Sequence, residues 1–225
     1  KREMIKDFTL EQLVDFNESI AGDYLKEYTY PWEALPHIEE IILAIGKSLP
    51  EDRFEKRGEN IWIAKSAVVF DSAYIAGPCI IEDAEIRQCA FIRGKALVGK
   101  GCVVGNSCEL KNVILFNKCE VPHYNYVGDS ILGFHAHMGA GSITSNIKSD
   151  RTNVVVHDGE DSAETGLRKM GAILGDWTEI GCNSVLNPGT VVGRHTNVYP
   201  LSMVRGCIAA NHIYKDREHV AEKHN

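Results

Sequence analysis

The sequence lacks the features that mark several common classes of protein. It contains no apolar run close to the roughly 20 residues that a membrane-spanning helix needs, and its charged start, KREMIKDF, does not resemble a signal peptide. It also has no excess of basic residues, since the formal net charge is −7. Nucleic-acid and anionic-membrane surfaces bind basic proteins. We therefore expect neither a nucleic-acid nor a membrane partner, although a local cationic pocket is compatible with this charge.

The sequence also has no C-x-x-C pair, and its seven cysteines are an odd number. A disulfide framework or a zinc site would use paired and closely spaced cysteines. Unpaired cysteines are typical of proteins from reducing compartments, where the thiol acts as a small buried side chain. The pattern predicts a cytoplasmic protein whose cysteines form neither a disulfide framework nor a zinc site.

Residues 1–58 predict a helical cap or arm. Thr9 and Gln12 have the spacing of a capping box, a second helical pattern starts near Pro31, and Gly46 stands where a C-terminal cap is expected. The end of a β-helix leaves backbone groups unpaired. We therefore expect the helices to cover one end of the structure that follows.

From Ile63 onward aliphatic residues recur about every six positions, often followed by glycine. A repeat of this length is the signature of a parallel β-helix, in which three hexapeptides make one coil. The sequence thus predicts an all-β fold, a left-handed parallel β-helix, over residues 59–207. The residues in the inward position are Ile63, Val69, Ile75, Ile81, Ile86, Ile92, Val98, Val104, Leu110, Val127, Leu132, Met138, Thr144, Leu174, Ile180, Leu186, Val192, Val198 and Val204.

Two segments do not follow the repeat. Residues 145–171 are polar and predict a long loop extruded from the coil, and such loops are often functional or disordered. Residues 208–225 are charged and predict a short helix or a frayed tail. Coils of this kind commonly associate as homotrimers, which we expect here by analogy of fold alone.

Two cations break the repeat. Arg93 follows Ile92 and Lys111 follows Leu110, in the slot that glycine usually fills, and they are one coil apart in the chain. Neighbouring coils lie about 4.8 Å apart, so the two side chains should stack at one corner. Like charges at that distance repel unless an anion lies beside them. Either both side chains extend into solvent, or they form a phosphate or carboxylate site.

Histidines gather in the stretch that follows. His123 lies in VPHYNYVGDS, and His135 and His137 come shortly after it. A histidine can act as a general base near neutral pH. A lone histidine is more often structural, and a cluster of three raises the alternative of a metal site.

The stretch KCEVPHYNYVGDSILGFHAHMGAGSITSNI resembles the acetyltransferase half of the bifunctional bacterial enzyme that makes UDP-N-acetylglucosamine. PHYNYVGD and GAGSITSNI correspond to that family's N-H-L-x-Y-L-G-D and G-A-G-T-I-T-x-N-Y. CELKN resembles its E-x-K-N segment, IRGKA its arginine-bearing R-P-G segment, and LGDWTEIGCNSVLNPGTVVG its later coils. Together these segments cover about half of the chain. No counterpart of the uridylyltransferase half is recognisable, so we expect the acetyltransferase part only.

The resemblance implies a CoA-dependent N-acyltransferase of nucleotide-sugar biosynthesis, with acetyl-CoA as co-substrate and an amino-sugar phosphate as acceptor. His123 would be the base that takes a proton from the attacking amine. The residues expected to bind the acceptor are Arg93, Lys111, Tyr126, His137 and Asn146, and those expected to bind CoA are Ala140, Gly175, Asp176 and Arg194. Acyl transfer also needs an oxyanion donor, which backbone N–H groups near Gly139 and Ala140 would supply.

The sequence departs from the family at three places. His137 replaces an asparagine that contacts substrate, Ile147 replaces a tyrosine, and the family has no loop as long as residues 145–171. These differences leave the acceptor sugar and the acyl group open.

Two other functions remain open at this stage. One is a non-catalytic β-helix scaffold or regulatory subunit. The other is a hydratase like the gamma carbonic anhydrases, with a metal held by His123, His135 and His137. The H-A-H spacing argues against it, because two histidines so close together in an extended segment cannot easily converge on one ion.

Overall fold

The computed structural model describes residues 5–224, and these begin with a mainly helical segment. Its helices are α1 (Leu10–Leu13), α2 (Gly22–Leu25), α3 (Pro31–Ala34) and α4 (Ile38–Gly46), with short 3-10 turns at Phe16–Glu18 and Leu35–His37. The predicted capping box is confirmed, since the backbone N–H of Thr9 donates to Gln12 Oε1 at 3.0 Å. Gly46 is not a left-handed cap. It is the last residue of α4, and a Cβ there would lie 2.4 Å from the Trp62 ring.

Short strands make up the rest of the chain. They are β1 (Phe54–Gly58), β2 (Ile61–Ala64), β3 (Val68–Val69), β4 (Tyr74–Ile75), β5 (Cys79–Ile81), β6 (Glu85–Ile86), β7 (Phe91–Ile92), β8 (Ala96–Val98), β9 (Val103–Asn106), β10 (Glu109–Leu115), β11 (Glu120–His123), β12 (Tyr126–Leu132), β13 (His137–Met138), β14 (Ile143–Thr144), β15 (Val155–Asp158), β16 (Asp161–Glu164), β17 (Ala172–Leu174), β18 (Glu179–Ile180), β19 (Val185–Leu186), β20 (Thr190–Val192), β21 (Asn197–Val198), β22 (Met203–Val204), β23 (Cys207–Ile208), β24 (His212–Tyr214) and β25 (Val220–Glu222).

The strands form the predicted left-handed parallel β-helix, whose coils have three faces. The first face contains β2, β5, β8, β17, β20 and β23, the second runs from β3 to β24, and the third contains β4, β7, β14, β19 and β22. β10 and β12 each turn a corner and belong to both the third and the first face. The aliphatic repeat is more regular than the sequence suggested, because Leu115 and Val121 fill the gap before Val127 and are fully buried.

The helical segment lies along the first face rather than over an end of the coil, so the predicted position of the cap is wrong. Outward side chains in register on this face are fully buried although they point away from the coil interior: Ile80, Leu97, Ile114, Ile131, Ile173 and Val191. A strand covered on both sides is apolar at consecutive positions. Runs such as CII, ALV and VIL carry that signal.

The two ends of the coil are covered by antiparallel strands. β1 pairs with β2 at one end, and β25 pairs with β24 at the other. The charged tail thus contributes a strand instead of the expected helix or frayed end. These pairings satisfy part of the backbone hydrogen-bonding groups at the ends of the coil. They thus protect the ends, a role that the sequence predicted for the helices.

Residues 145–171 form an ordered hairpin rather than an irregular loop. β15 and β16 pair in antiparallel register, and Val154, Val156 and Met170 are fully buried. The hairpin follows the corner between the third and first faces, since a Cβ on Gly189 would meet Val154 Cγ1 at 2.9 Å. None of the helices between residues 5 and 224 has the length and apolar character that crossing a bilayer requires.

Candidate active site

His123 ends β11 at the corner between the second and third faces, and its side chain is exposed. Its backbone is fixed from inside the coil, because its N–H donates to Asn125 Oδ1 at 3.1 Å. The buried Asn125 amide in turn donates to the carbonyl oxygens of Gly139 and Ser142, both at 2.9 Å. A polar side chain in the core thus holds the histidine-bearing turn against the next coil.

Ala140 lies beside His123 in the next coil. The pairing of Glu120 with His137 sets this register, and the Gly141 N–H donates to the His123 carbonyl oxygen at 2.9 Å. The Gly139 N–H is not available as an oxyanion donor, because it donates to the Ile180 carbonyl oxygen at 2.7 Å. Within residues 5–224 the Ala140 N–H has no acceptor. Of the two expected donors, only Ala140 can serve.

Arg93 and Lys111 stack in adjacent coils, as their spacing predicts. Ile92 pairs with Leu110, and the Arg93 N–H donates to the Leu110 carbonyl oxygen at 2.8 Å. Each cation also has a carboxylate partner in the chain. Arg93 Nη1 lies 2.8 Å from Glu109 Oε1, and Lys111 Nζ lies 3.0 Å from Asp129 Oδ1. These carboxylates relieve the repulsion that the sequence analysis expected an anion to relieve.

Tyr126 and Asn146 complete this row of polar side chains on the third face. Asn146 Nδ2 donates to the Tyr126 hydroxyl at 3.2 Å and to Asp129 Oδ2 at 2.7 Å. Burial, followed by the negative charges of Asp129 and Glu109, raises the pKa of the Tyr126 phenol. The hydroxyl therefore stays protonated and can donate a hydrogen bond to a ligand. We name Arg93, Lys111, Tyr126 and Asn146 the acceptor row.

Gly128 makes room for the acceptor row. It pairs with Lys111 in the neighbouring coil. A Cβ at this position would lie 2.5 Å from the Tyr126 hydroxyl and 3.1 Å from Asn146 Nδ2. The tyrosine ring can therefore lie across the third face only because residue 128 has no side chain.

The three histidines are not brought together. His137 lies on the second face, where its Nδ1 is 2.9 Å from Glu179 Oε2 and its Nε2 is 4.0 Å from Glu120 Oε2. His135 lies at the corner between the first and second faces, and its ring stacks on Trp177 with a centroid separation of 4.1 Å. Within residues 5–224 no group of three His, Cys, Asp or Glu side chains is arranged to hold a metal ion.

The expected CoA residues of the later coils lie at a different corner from His123. Asp176 is buried, and its carboxylate accepts from the backbone N–H groups of Asp15 at 2.8 Å and Phe134 at 2.7 Å. Burial is the main cause of its raised pKa, and these hydrogen bonds oppose the shift. Arg194 Nη2 donates to the Glu11 carbonyl oxygen at 3.3 Å. Both side chains anchor the helical segment to the coil.

Gly175 has a close-packing role at this corner. A Cβ there would lie 2.8 Å from the backbone nitrogen of Arg194 in the next coil. The glycine therefore allows two coils to approach, and its N–H donates to the Val192 carbonyl oxygen at 2.8 Å.

Four residues that organise the site have no assignment from the sequence. Asn125 fixes the turn of His123, and Glu109 pairs with Arg93. Asp129 pairs with Lys111, and Asn112 donates to the Asp129 carboxylate. Asp129 is the last residue of the Y-V-G-D motif, but its contacts cannot be derived from that motif without the register of the coils.

Comparison with known proteins gives a family model and several curated relatives that this chain resembles. Residues 75–160 match the model of the GMPPB C-terminal domain. The chain is 30% identical over 200 residues to the bifunctional protein GlmU of Methanococcus aeolicus, covering 86% of this chain and 46% of that protein. It is also 30% identical over 223 residues to GlmU of Methanococcus maripaludis, covering 95% and 54%. The chain thus spans about half the length of these relatives.

One solved structure that is similar to this chain is a GDP-perosamine N-acetyltransferase from Caulobacter crescentus, determined in complex with CoA and GDP-perosamine. The two chains are 16% identical, the match covers 73% of this chain and 57% of the other, and the TM-score is 0.30.

Proposed function

We propose that this chain, a hexapeptide-repeat β-helix related in sequence to the bifunctional GlmU proteins, is a CoA-dependent N-acyltransferase that acts on a sugar derivative. The observation that carries the proposal is the placement of His123 beside the unpaired Ala140 N–H, at a corner next to the acceptor row. A base and an oxyanion donor side by side are what acyl transfer to an amine requires.

The faces of the coil restrict where substrates can bind. The helical segment buries the outward side chains of the first face. The second and third faces remain accessible, and His123 lies at the corner where these two meet. A substrate on the third face and another on the second face can therefore both reach the imidazole.

The proposed reaction uses two groups of this chain directly. The acceptor amine attacks the thioester carbon, so that a C–N bond forms and the C–S bond breaks. The His123 imidazole takes the proton of the amine and passes it to the departing CoA thiolate. The Ala140 N–H donates to the carbonyl oxygen while negative charge develops on it.

We further propose that the acceptor is an amino-sugar phosphate and the acyl group is acetyl, which would place the protein in nucleotide-sugar biosynthesis. Arg93 and Lys111 supply positive charge for a phosphate, and the Tyr126 hydroxyl supplies a neutral donor. His137 on the second face, together with Gly175, Asp176 and Arg194 at the neighbouring corner, remain proposed ligand-binding residues. The cysteine pattern of the sequence supports a cytoplasmic location, and the fold supports a homotrimer.

The first experiment measures thiol release from acetyl-CoA with a panel of amino-sugar phosphates, for the native protein, His123→Ala and His157→Ala. We expect turnover that His123→Ala reduces by about 100-fold or more, since general-base catalysis contributes roughly 10²–10⁴-fold. His157 is exposed on the hairpin, away from the site, and its variant serves as the matched control.

Turnover that survives His123→Ala would contradict the assigned base. The absence of turnover with every acceptor, together with the absence of CoA binding in calorimetry, would contradict the enzyme and favour the scaffold.

A further inference from the structure

Asp129 lies at the centre of the acceptor row but at a position that no ligand can easily reach. It stands at the corner between the third and first faces, its φ is 50°, and its side chain is 6% exposed. Asp is among the few residue types that occupy the left-handed region readily. Burying a charged carboxylate costs free energy unless charged or polar donors surround it.

Three donor groups surround the carboxylate. Lys111 Nζ contacts Oδ1 at 3.0 Å and Oδ2 at 3.1 Å. Asn112 Nδ2 donates to Oδ1 at 3.0 Å, and Asn146 Nδ2 donates to Oδ2 at 2.7 Å. Because Asn146 also donates to the Tyr126 hydroxyl, the carboxylate sets the positions of most of the acceptor row.

The same residue joins the acceptor row to two further parts of the molecule. The Asp129 carbonyl oxygen accepts from the Gly171 N–H at 2.8 Å, where the hairpin segment returns to the coil. Asn112 donates not only to Asp129 but also to the Leu35 carbonyl oxygen of the helical segment, at 3.2 Å. The carboxylate is thus held by donors that are themselves fixed.

We propose that Asp129 is a positioning residue, which holds Lys111 and Asn146 in the geometry that binds the anionic group of the acceptor. This inference rests on the proposed function. An unrestrained lysine side chain loses conformational entropy when a ligand immobilises it, and this loss costs binding free energy. Asp129 removes most of that cost before the acceptor binds. An ammonium group has three N–H donors, so one remains for the acceptor.

The first test does not depend on activity. The native protein and Asp129→Asn are treated with an amine-acetylating reagent, and modification of each lysine is followed by peptide mass spectrometry. We expect Lys111 to react at least about fivefold faster in Asp129→Asn, because its carboxylate partner is lost. Lys118, which lies over the Phe134 ring at another corner, should react at the same rate in both proteins.

The second test separates positioning from general loss of structure. Asp129→Asn should raise the KM for the amino-sugar phosphate by about tenfold, with the KM for acetyl-CoA unchanged within about twofold. Glu82→Gln is the matched control, since it neutralises another buried carboxylate without touching the acceptor row. Its acceptor KM should equal that of the native protein.

If Asp129→Asn does not fold, Asn112→Gly replaces it. This change removes one donor to Asp129 and keeps the left-handed backbone, since φ at residue 112 is 53°. We expect faster Lys111 labelling and a higher acceptor KM, both by smaller factors. Unchanged Lys111 labelling in the variant examined would overturn the inference. Should the native protein lack turnover with every sugar, the proposed function fails, and the labelling experiment still decides the role of Asp129.

Discussion

Single residues set the geometry of the candidate site, some because they lack a side chain and others because of the polar group that they contribute. Gly128 leaves space for the Tyr126 ring, and Asn125 places an amide inside an otherwise aliphatic coil to hold the turn of His123. Glu82 is the contrasting case. It is a buried carboxylate whose Oε2 has no hydrogen-bond partner within residues 5–224.

Gly128→Ala should weaken acceptor binding while the fold is retained. The new Cβ would lie 2.5 Å from the Tyr126 hydroxyl, and the far end of that side chain can move away. We expect the acceptor KM to rise by about three- to tenfold with little change in the KM for acetyl-CoA. Gly58→Ala is the control, because its Cβ would meet only the flexible end of Ile61. Equal KM values in Gly128→Ala and the native protein would show that the Tyr126 position is unimportant.

Glu82→Gln should change how stability depends on pH. Burial raises the pKa of Glu82 from 4.5 to about 7, so the folded state keeps a proton that the unfolded state loses between these values. Stability therefore falls as pH rises from 4.5 to 7, and the loss is complete above pH 7. Between pH 5 and pH 8 the variant should gain about 2 kcal/mol relative to the native protein. Urea unfolding at both pH values measures this gain, and a constant difference would contradict the assignment.

At the scale of elements, the helical segment and the strands of the first face depend on each other. The helices are four to nine residues long and would be marginal alone. The outward side chains of the first face would form an exposed apolar strip without them. The helical segment and the first face therefore bury each other's apolar side chains. Asp176 and Arg194 fix the position of the helical segment on the coil.

Ile114→Ala should be much more costly than an ordinary outward substitution on a β-helix. Ile114 points outward from the coil but is fully buried beneath the helical segment. We expect a loss of about 2–4 kcal/mol in the free energy of unfolding. Val68 occupies an outward position on the uncovered second face and is 55% exposed, so Val68→Ala should cost less than about 1 kcal/mol. Similar losses for both variants, measured by urea unfolding, would argue that the helical segment does not pack there in solution.

At the scale of the whole molecule, the helical segment covers the first face, so other protein chains can pack against the coil only on the second and third faces. The exposed apolar side chains of the coil lie on these faces and their corners, among them Tyr74, Phe91, Leu201 and Met203. Exposed apolar groups of this kind are typical of surfaces that bind other proteins.

We therefore expect a homotrimer in solution, with a mass by light scattering of about three times the 25.0 kDa of one chain. Tyr74→Asp should lower the measured mass, because it places a charge among the exposed apolar side chains of the third face. Tyr24→Asp, on the exposed side of the helical segment, should leave the mass unchanged. A native mass of 25.0 kDa would contradict the trimer.

The β-helix follows from the amino-acid pattern alone, because inward aliphatic residues at a period of six have one packing solution that buries them all. It also determined that Arg93 and Lys111 stack, since one coil has a fixed length and adjacent coils have a fixed spacing. The motif H-x-x-Y-x-G-D marked His123 in the sequence, and its role as the base is our proposal.

The remaining features required the three-dimensional structure, because they depend on contacts between segments that are distant in the chain. The Asp129 carboxylate joins Lys111, Asn112 and Asn146 only once the register of three coils is known. The sequence shows that the helical segment has an apolar side. The surface against which that side packs, however, is formed by apolar residues from many separate strands. Local patterns show the Y-V-G-D motif and the runs of apolar residues, but the partners of Asp129 and the segment that covers the first face follow only once the coils are stacked.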